Sequence, residues 1–276
     1  MTPADTVDSA PRHRIKPAPV VGVVVVVLYM LVVNGLQLST GIPYREWTST
    51  PSNTIRAAVI PLIAGSVLLV AFLVIARWDM VWRDPGRLPL TGAMKAAMVF
   101  FLAAIVVRLI GVRWTTVSLA LLGAVLLTGL LVGFAEETLF RGVFLRSLRT
   151  GGRTEAVAAL VTAIGFGLFH LPNMIFGAGL AQLPQVVLAA LTGSILYVFR
   201  RYRGTIVVAM VAHGTWDIST FLSGSNGAPW ITIVSFVLLI AGVVFGILVL
   251  VSVWRTDKAT VVTPTGVESV APRPAA

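Results

Sequence analysis

The chain has 276 residues, of which 57% are hydrophobic and only 12% charged, with a mean hydropathy of +0.92. Soluble domains carry about 25% charged residues, so the composition excludes an ordinary soluble protein and indicates a polytopic membrane protein. There is no cysteine, which removes disulfides, thiolate nucleophiles and cysteine metal sites. The net charge of +10 is spread as short basic clusters between apolar stretches, and no nucleic-acid-binding motif accompanies them. Membrane lipid headgroups, not nucleic acid, are the expected partner of that charge.

Apolar windows predict eight helices, at 19–38, 57–76, 93–111, 117–148, 155–170, 183–199, 205–222 and 230–254. About 20 residues cross the hydrocarbon, so the expected fold is all-α, a polytopic transmembrane helix bundle of about eight spans. The first 18 residues are polar and expected to be a mobile tail. No small-residue cleavage site follows Val20–Val33, which reads as an uncleaved signal anchor. Lys95 and Arg108 sit at the two ends of the third span, where both can snorkel. Gly242 and Gly246 form a GxxxG in the last span, read as helix packing. The 255–276 segment, rich in Thr, Pro, Val and Ala, is expected to be a second mobile tail.

Basic residues orient the chain. With the N-terminus inside, the inner loops hold Arg77, Arg83 and Arg87, then Arg146, Arg149 and Arg153, then Arg200, Arg201 and Arg203. Every even-numbered crossing returns to a basic loop, so both termini are expected on the cytoplasmic side of an integral, multi-pass membrane protein. In a bacterium that membrane is the plasma (inner) membrane. Trp47, Trp78, Trp82, Trp114, Trp230 and Trp254 fall at span ends, the interfacial belt. Trp216 is the exception, lying inside a span.

Ionisable residues well inside spans are few: Glu136 and Glu137, His170, His213 and Asp217. Each carboxylate costs roughly 3 kcal/mol at mid-membrane, which marks such positions as functional candidates. Three one-turn pairs recur: Glu137 with Arg141, Phe166 with His170, and His213 with Asp217. Residues four apart share a helix face, so three helices can each present a pair to one interior. Counted from the inner ends at about 1.5 Å per residue, Glu136 lies roughly 21 Å deep, His170 24 Å, His213 14 Å and Asp217 20 Å. These depths are compatible with convergence, in a site expected to open toward the cytoplasm or inner leaflet.

Two adjacent acids in unequal settings can divide labour, Arg141 keeping one ionised while the other serves as base. A base that draws a proton from water, beside imidazoles able to donate to an oxyanion or leaving amine, suits amide hydrolysis. Asp217, one turn from His213, can fix that imidazole's tautomer. Two imidazoles and a carboxylate, drawn from Glu136, His170, His213 and Asp217, also suit a catalytic zinc with an open position. Both glutamate-activated and metal-bound water fit these residues; the first needs no cofactor. Taken singly, Glu137 with Arg141 reads equally as a structural ion pair, and His213 with Asp217 as an interhelical hydrogen bond. No HExxH, GxSxG or phosphate loop is present.

In the order Glu136-Glu137-Thr138-Leu139-Phe140-Arg141, Phe166-Gly167-Leu168-Phe169-His170 and His213-Gly214-Thr215-Trp216-Asp217, the chain resembles the CAAX-protease and bacteriocin-processing (CPBP, or Abi) intramembrane proteases. That family, related to the type II CAAX prenyl proteases, carries EExxxR, FxxxH and HxxxN or HxxxD on successive helices. The resemblance covers 117–222, leaving 19–111 as three accessory spans and 230–254 as a final one. It implies an intramembrane endopeptidase in which Glu136 activates water and His170 positions it. It further implies that His213 and Asp217 form the oxyanion side, with Glu137 and Arg141 supporting Glu136. Asp217 departs from asparagine, and an acid can be ionised or bind metal where an amide cannot. The implied substrate is a membrane-associated peptide or protein, lipid-modified in eukaryotic relatives. The competing readings are a non-catalytic scaffold or self-immunity factor, and a proton relay through Glu136, His170 and Asp217.

Overall fold

The computed structural model describes residues 13–84, 89–176 and 179–261. Much of both expected tails, 1–12 and 262–276, therefore lies outside the described residues. Among the described residues, eight helical spans are long and apolar enough to cross a membrane: α1 Pro19–Ser39, α2 Pro51–Ala76, α3 Gly92–Ile110, α4 Leu119–Thr150, α5 Glu155–Met174, α6 Leu183–Gly204, α7 Ile206–Asn226 and α8 Pro229–Asp257. The protein is all-α, as its composition predicts; two isolated bridges, Arg83 with Thr205 and Val112 with Gly227, are its β-type pairings among those residues.

Local chemistry sets the helix starts. Thr50, Thr91, Ser118 and Thr154 each accept a hydrogen bond from the backbone N–H three residues on, at 3.1, 3.3, 3.2 and 3.4 Å. Such caps each contribute about 1 kcal/mol. Thr50 followed by Pro51 starts α2 six residues ahead of its apolar window, through the polar Ser52, Asn53 and Arg56. The helix then widens to a π-turn over Ile55–Val59 just before Pro61. Proline has no N–H to donate back into that turn, which accounts for the loosening.

The bundle has two polar ends and an apolar girdle where Val67, Val74, Val106 and Leu130 face outward. At one end the basic loops gather around Asp84, which accepts from Arg146 at 3.3 Å, Arg149 at 2.9 Å and Arg200 at 3.0 Å. Burial alone would raise the Asp84 carboxyl, but these guanidinium groups outweigh it and hold the acid below its ordinary value. At the opposite end, Arg113 N donates to Asn226 O at 2.8 Å, Ala228 N to Gly111 O at 2.8 Å and Tyr44 N to Phe176 O at 2.8 Å.

Several expectations need correction at these ends. Residues 13–18 are docked, not loose. Arg14 N donates to Ala76 O at 3.1 Å, and Ile15 O accepts from the Trp78 indole at 2.8 Å. Trp78 is consequently buried inside the fold, not set in a lipid belt. Arg108 does not snorkel: it shares the buried stripe of α3 with Met94, Ala97, Phe101, Ala104 and Ile105 and points inward.

A close helix crossing, α4 on α7, positions the site. A Cβ added at Gly133 would lie 2.3 Å from the Met210 carbonyl oxygen, and one at Gly129 2.7 Å from that of Gly214. The two backbones are in contact, which only glycine permits. The GxxxG that brings chemistry together is thus Gly129 and Gly133. Of the pair expected in the last span, Gly246 packs on Leu191, whereas Gly242 meets nothing nearer than Phe100 at 3.9 Å.

Candidate functional site

Glu136 and Glu137 close the regular part of α4, which is α-helical over Leu119–Glu137, π over Thr138–Phe144 and α again over Leu145–Thr150. Such π segments recur at functional sites because they re-aim side chains within a continuous helix. Here the widened turn still lets Arg141 Nη1 donate to Glu137 Oε1 at 2.7 Å, while Nη2 donates to Gly193 O on α6 at 2.8 Å. Gly193 makes room for this: a Cβ there would sit 3.1 Å from Arg141 Nη2.

Glu137 Oε1 accepts a second hydrogen bond, from His213 Nδ1 at 2.8 Å. The orienting partner of His213 is therefore Glu137 on a neighbouring helix, not Asp217 one turn away. With Nδ1 committed, Nε2 faces the other acids, 3.8 Å from Glu136 Oε2 and 4.0 Å from Asp217 Oδ2. Both separations are too long for hydrogen bonds, and Glu136 Oε2 has no hydrogen-bond partner among the described residues.

His170 ends α5. Its own N–H bonds to Gly167 O at 3.0 Å, so the carbonyl of Phe166 is released from the helical ladder and accepts from the imidazole Nδ1 at 2.8 Å. A carbonyl can only accept, so Nδ1 carries the proton. In the neutral ring Nε2 is then a bare acceptor. Phe166 also fixes both imidazoles edge-on, with centroids 5.1 Å from His170 and 5.4 Å from His213. The Arg141 guanidinium lies 4.5 Å from the centre of the same ring. Aromatic pairs of this kind add about 0.5–1.5 kcal/mol each beyond burial.

Glu136, His170, His213 and Asp217 all line one internal cavity of about 290 Å³, and Phe166 forms part of its wall. Glu137 and Arg141 lie behind it. All seven residues singled out from the sequence are thus brought to one place. The cavity's other lining residues include Tyr44, Trp47, Asn173 and Gln185, which belong to the end opposite the basic loops. It therefore extends away from the side expected to be cytoplasmic, contrary to the expectation of an inner opening. Gln185 Nε2 donates to the Tyr44 hydroxyl at 2.7 Å, and Asn173 Nδ2 to Gln185 Oε1 at 3.1 Å, stitching the rim together. Tyr44 has its phenol pushed up to about 12 by burial, despite the Gln185 hydrogen bond, with the nearby Asp217 and Glu136 carboxylates adding to the rise.

Sequence reasoning missed Arg108, Tyr44 and Gln185. Arg108 had a usable signal, since it falls seven residues after Phe101 on the buried stripe of α3. Tyr44 and Gln185 had none, being polar residues beside span ends. For zinc, no group of three His, Asp or Glu among the described residues is arranged to hold a metal ion. No step below passes through a metal.

A helical membrane bundle that turns two carboxylates, Glu136 and Asp217, and two imidazoles onto one cavity is a polytopic membrane protein with a buried cluster of acids and bases. Residues 117–219, which contain all three motifs, match the family described as Type II CAAX prenyl endopeptidase Rce1-like. The spans α1 to α3 and α8 lie outside the match. No curated protein and no solved structure matches the chain.

Proposed function

We propose that this protein is an intramembrane endopeptidase that hydrolyses a peptide bond of a membrane-associated peptide or protein using water activated by Glu136. The observation that carries the reading is the orphaned Glu136 Oε2 in the cavity wall, beside an imidazole held by a second glutamate.

The bare Nε2 of His170 accepts one O–H of the attacking water, and Glu136 accepts the other. As the oxygen bonds to the scissile carbonyl carbon, Glu136 takes the proton and later delivers it to the leaving amine. His213, as imidazolium, donates through Nδ1 to Glu137 and through Nε2 to the developing oxyanion, a contact worth roughly 3 kcal/mol. Glu137 and Arg141 act through His213 and are positioning residues. Asp217 lies beside that imidazole, its Oδ2 4.0 Å from Nε2.

The substrate enters from the end bearing Tyr44 and Gln185, or laterally between helices at that level. The test is a comparison of membranes from cells expressing the wild-type chain or Glu136→Gln. A protein accumulating uncut only in the variant, with a defined new terminus in wild type, supports the reading. Identical sets of termini in both membranes would refute it.

A further inference from the structure

Arg108 is the cavity's one charged side chain that hydrolysis leaves unused among the described lining residues. It lies in the last turn of α3, outside the segment matched to the family, and is only 9% exposed. Its guanidinium sits 4.0 Å from the centre of the Trp216 ring, and Trp216 is itself stacked on Phe101 at 4.3 Å. The aromatic floor fixes the plane of the guanidinium. Nη1 is buried and makes no hydrogen bond among the described residues. Asp217 is the acid in electrostatic reach of Arg108, but the ion pair Asp217 makes is with His213.

Removing a guanidinium from water is costly unless it is paired, and a ring stack compensates only in part. The planar fork of arginine matches a carboxylate, which it can bind through two parallel hydrogen bonds. A single negative charge also suits this site better than a phosphate, because Glu136 and Asp217 line the same cavity and would repel a dianion more strongly.

We propose that Arg108, backed by Trp216, is a carboxylate-binding subsite for the substrate, set beside the hydrolytic groups. The subsite rests on the peptidase reading only in assigning the anion to a substrate. Its carboxylate comes from either a free C-terminus or an aspartate or glutamate side chain close to the scissile bond. The first source would restrict cleavage to positions near chain ends, the second to acidic internal sites. Arg108 binds and selects substrate; it does not move protons.

Binding can be separated from turnover by using the full-length Glu136→Gln protein in lipid nanodiscs. The probes are three dansyl-labelled versions of one apolar alanine–leucine hexapeptide: free carboxylate, terminal amide, and terminal amide with one internal aspartate. The expected result is that at least one carboxylate form binds about tenfold more tightly than the plain amide, the size of a charge-assisted hydrogen bond. Preference for the free acid assigns the subsite to a chain terminus, and preference for the aspartyl amide to a side chain. Adding Arg108→Gln should bring the ratio to about one, and Arg108→Lys should retain part of it.

Equal binding of all three probes with Arg108 intact, or binding of none, overturns the subsite. So does a preference that persists in Arg108→Gln. If Arg108→Gln does not fold, the acid-to-amide ratio with Arg108 intact and its reduction in Arg108→Lys decide the matter. An Arg108-dependent preference in a protein whose Glu136-intact form cleaves nothing would sink the peptidase reading and leave the subsite standing.

Discussion

Replacing Gly133 with alanine tests how the fold delivers the chemistry. The added Cβ would meet the Met210 carbonyl oxygen at 2.3 Å, where ordinary contact begins at 3.4 Å. The obstacle is backbone, so a rotamer change cannot relieve it, and α4 must shift from α7 by about 1.1 Å. Glu136 is three residues away on the moving helix, and His213 sits on the stationary one. A displacement of about 1 Å in a catalytic pair costs on the order of 100-fold in rate. Overpacking should also lower stability by about 1–3 kcal/mol. The assay is kcat for cleavage of a peptide by the purified protein, alongside its thermal midpoint. Gly242→Ala is the control, because its Cβ would find only Phe100 at 3.9 Å. Gly133→Ala working within twofold of wild type would refute the claim that this crossing sets the site.

Three more outcomes are expected. Glu137→Gln removes the charge that holds Arg141 and His213 together, so it should lose about 3 kcal/mol of stability, as for a broken buried pair, and most of its activity; an unchanged melting point would contradict the pairing seen here. Asp84→Asn should lower stability by a similar ~3 kcal/mol at neutral pH. The Asp84 carboxyl is held below its ordinary value by the surrounding arginines, in spite of burial. Its contribution should therefore persist down to about pH 4 and fade as pH falls through the depressed folded-state value. A wild-type-minus-variant difference that grew in acid would contradict that sign. Dialysis against a zinc chelator should leave peptide cleavage unchanged; loss restored by stoichiometric zinc would show that the histidines and Glu136 close on a metal.

The parts legible in the sequence were those governed by one-dimensional rules. Span number followed from hydropathy, and the three i,i+4 pairs followed from helix geometry, so the depths of Glu136, His170 and His213 were compatible with one shared interior. What stayed hidden depended on partners remote in the chain. The imidazole of His213 takes its orientation from Glu137 across a helix interface, although Asp217 was the nearer candidate along its own helix. Arg108 looked like an end-of-span cation because hydropathy does not say which face of a helix points inward. Direction of opening was missed for a similar reason: charge fixes which loops share an end, but the cavity is shaped by Tyr44 and Gln185, whose meeting no local pattern records.

The most direct measurement is kcat of purified Glu136→Gln against wild type on a cleavable peptide, with melting points confirming that both are folded. Loss of a general base predicts a fall of about 100- to 10,000-fold with little change in stability. A folded Glu136→Gln protein that hydrolyses the peptide at the wild-type rate would contradict the proposed role of this carboxylate.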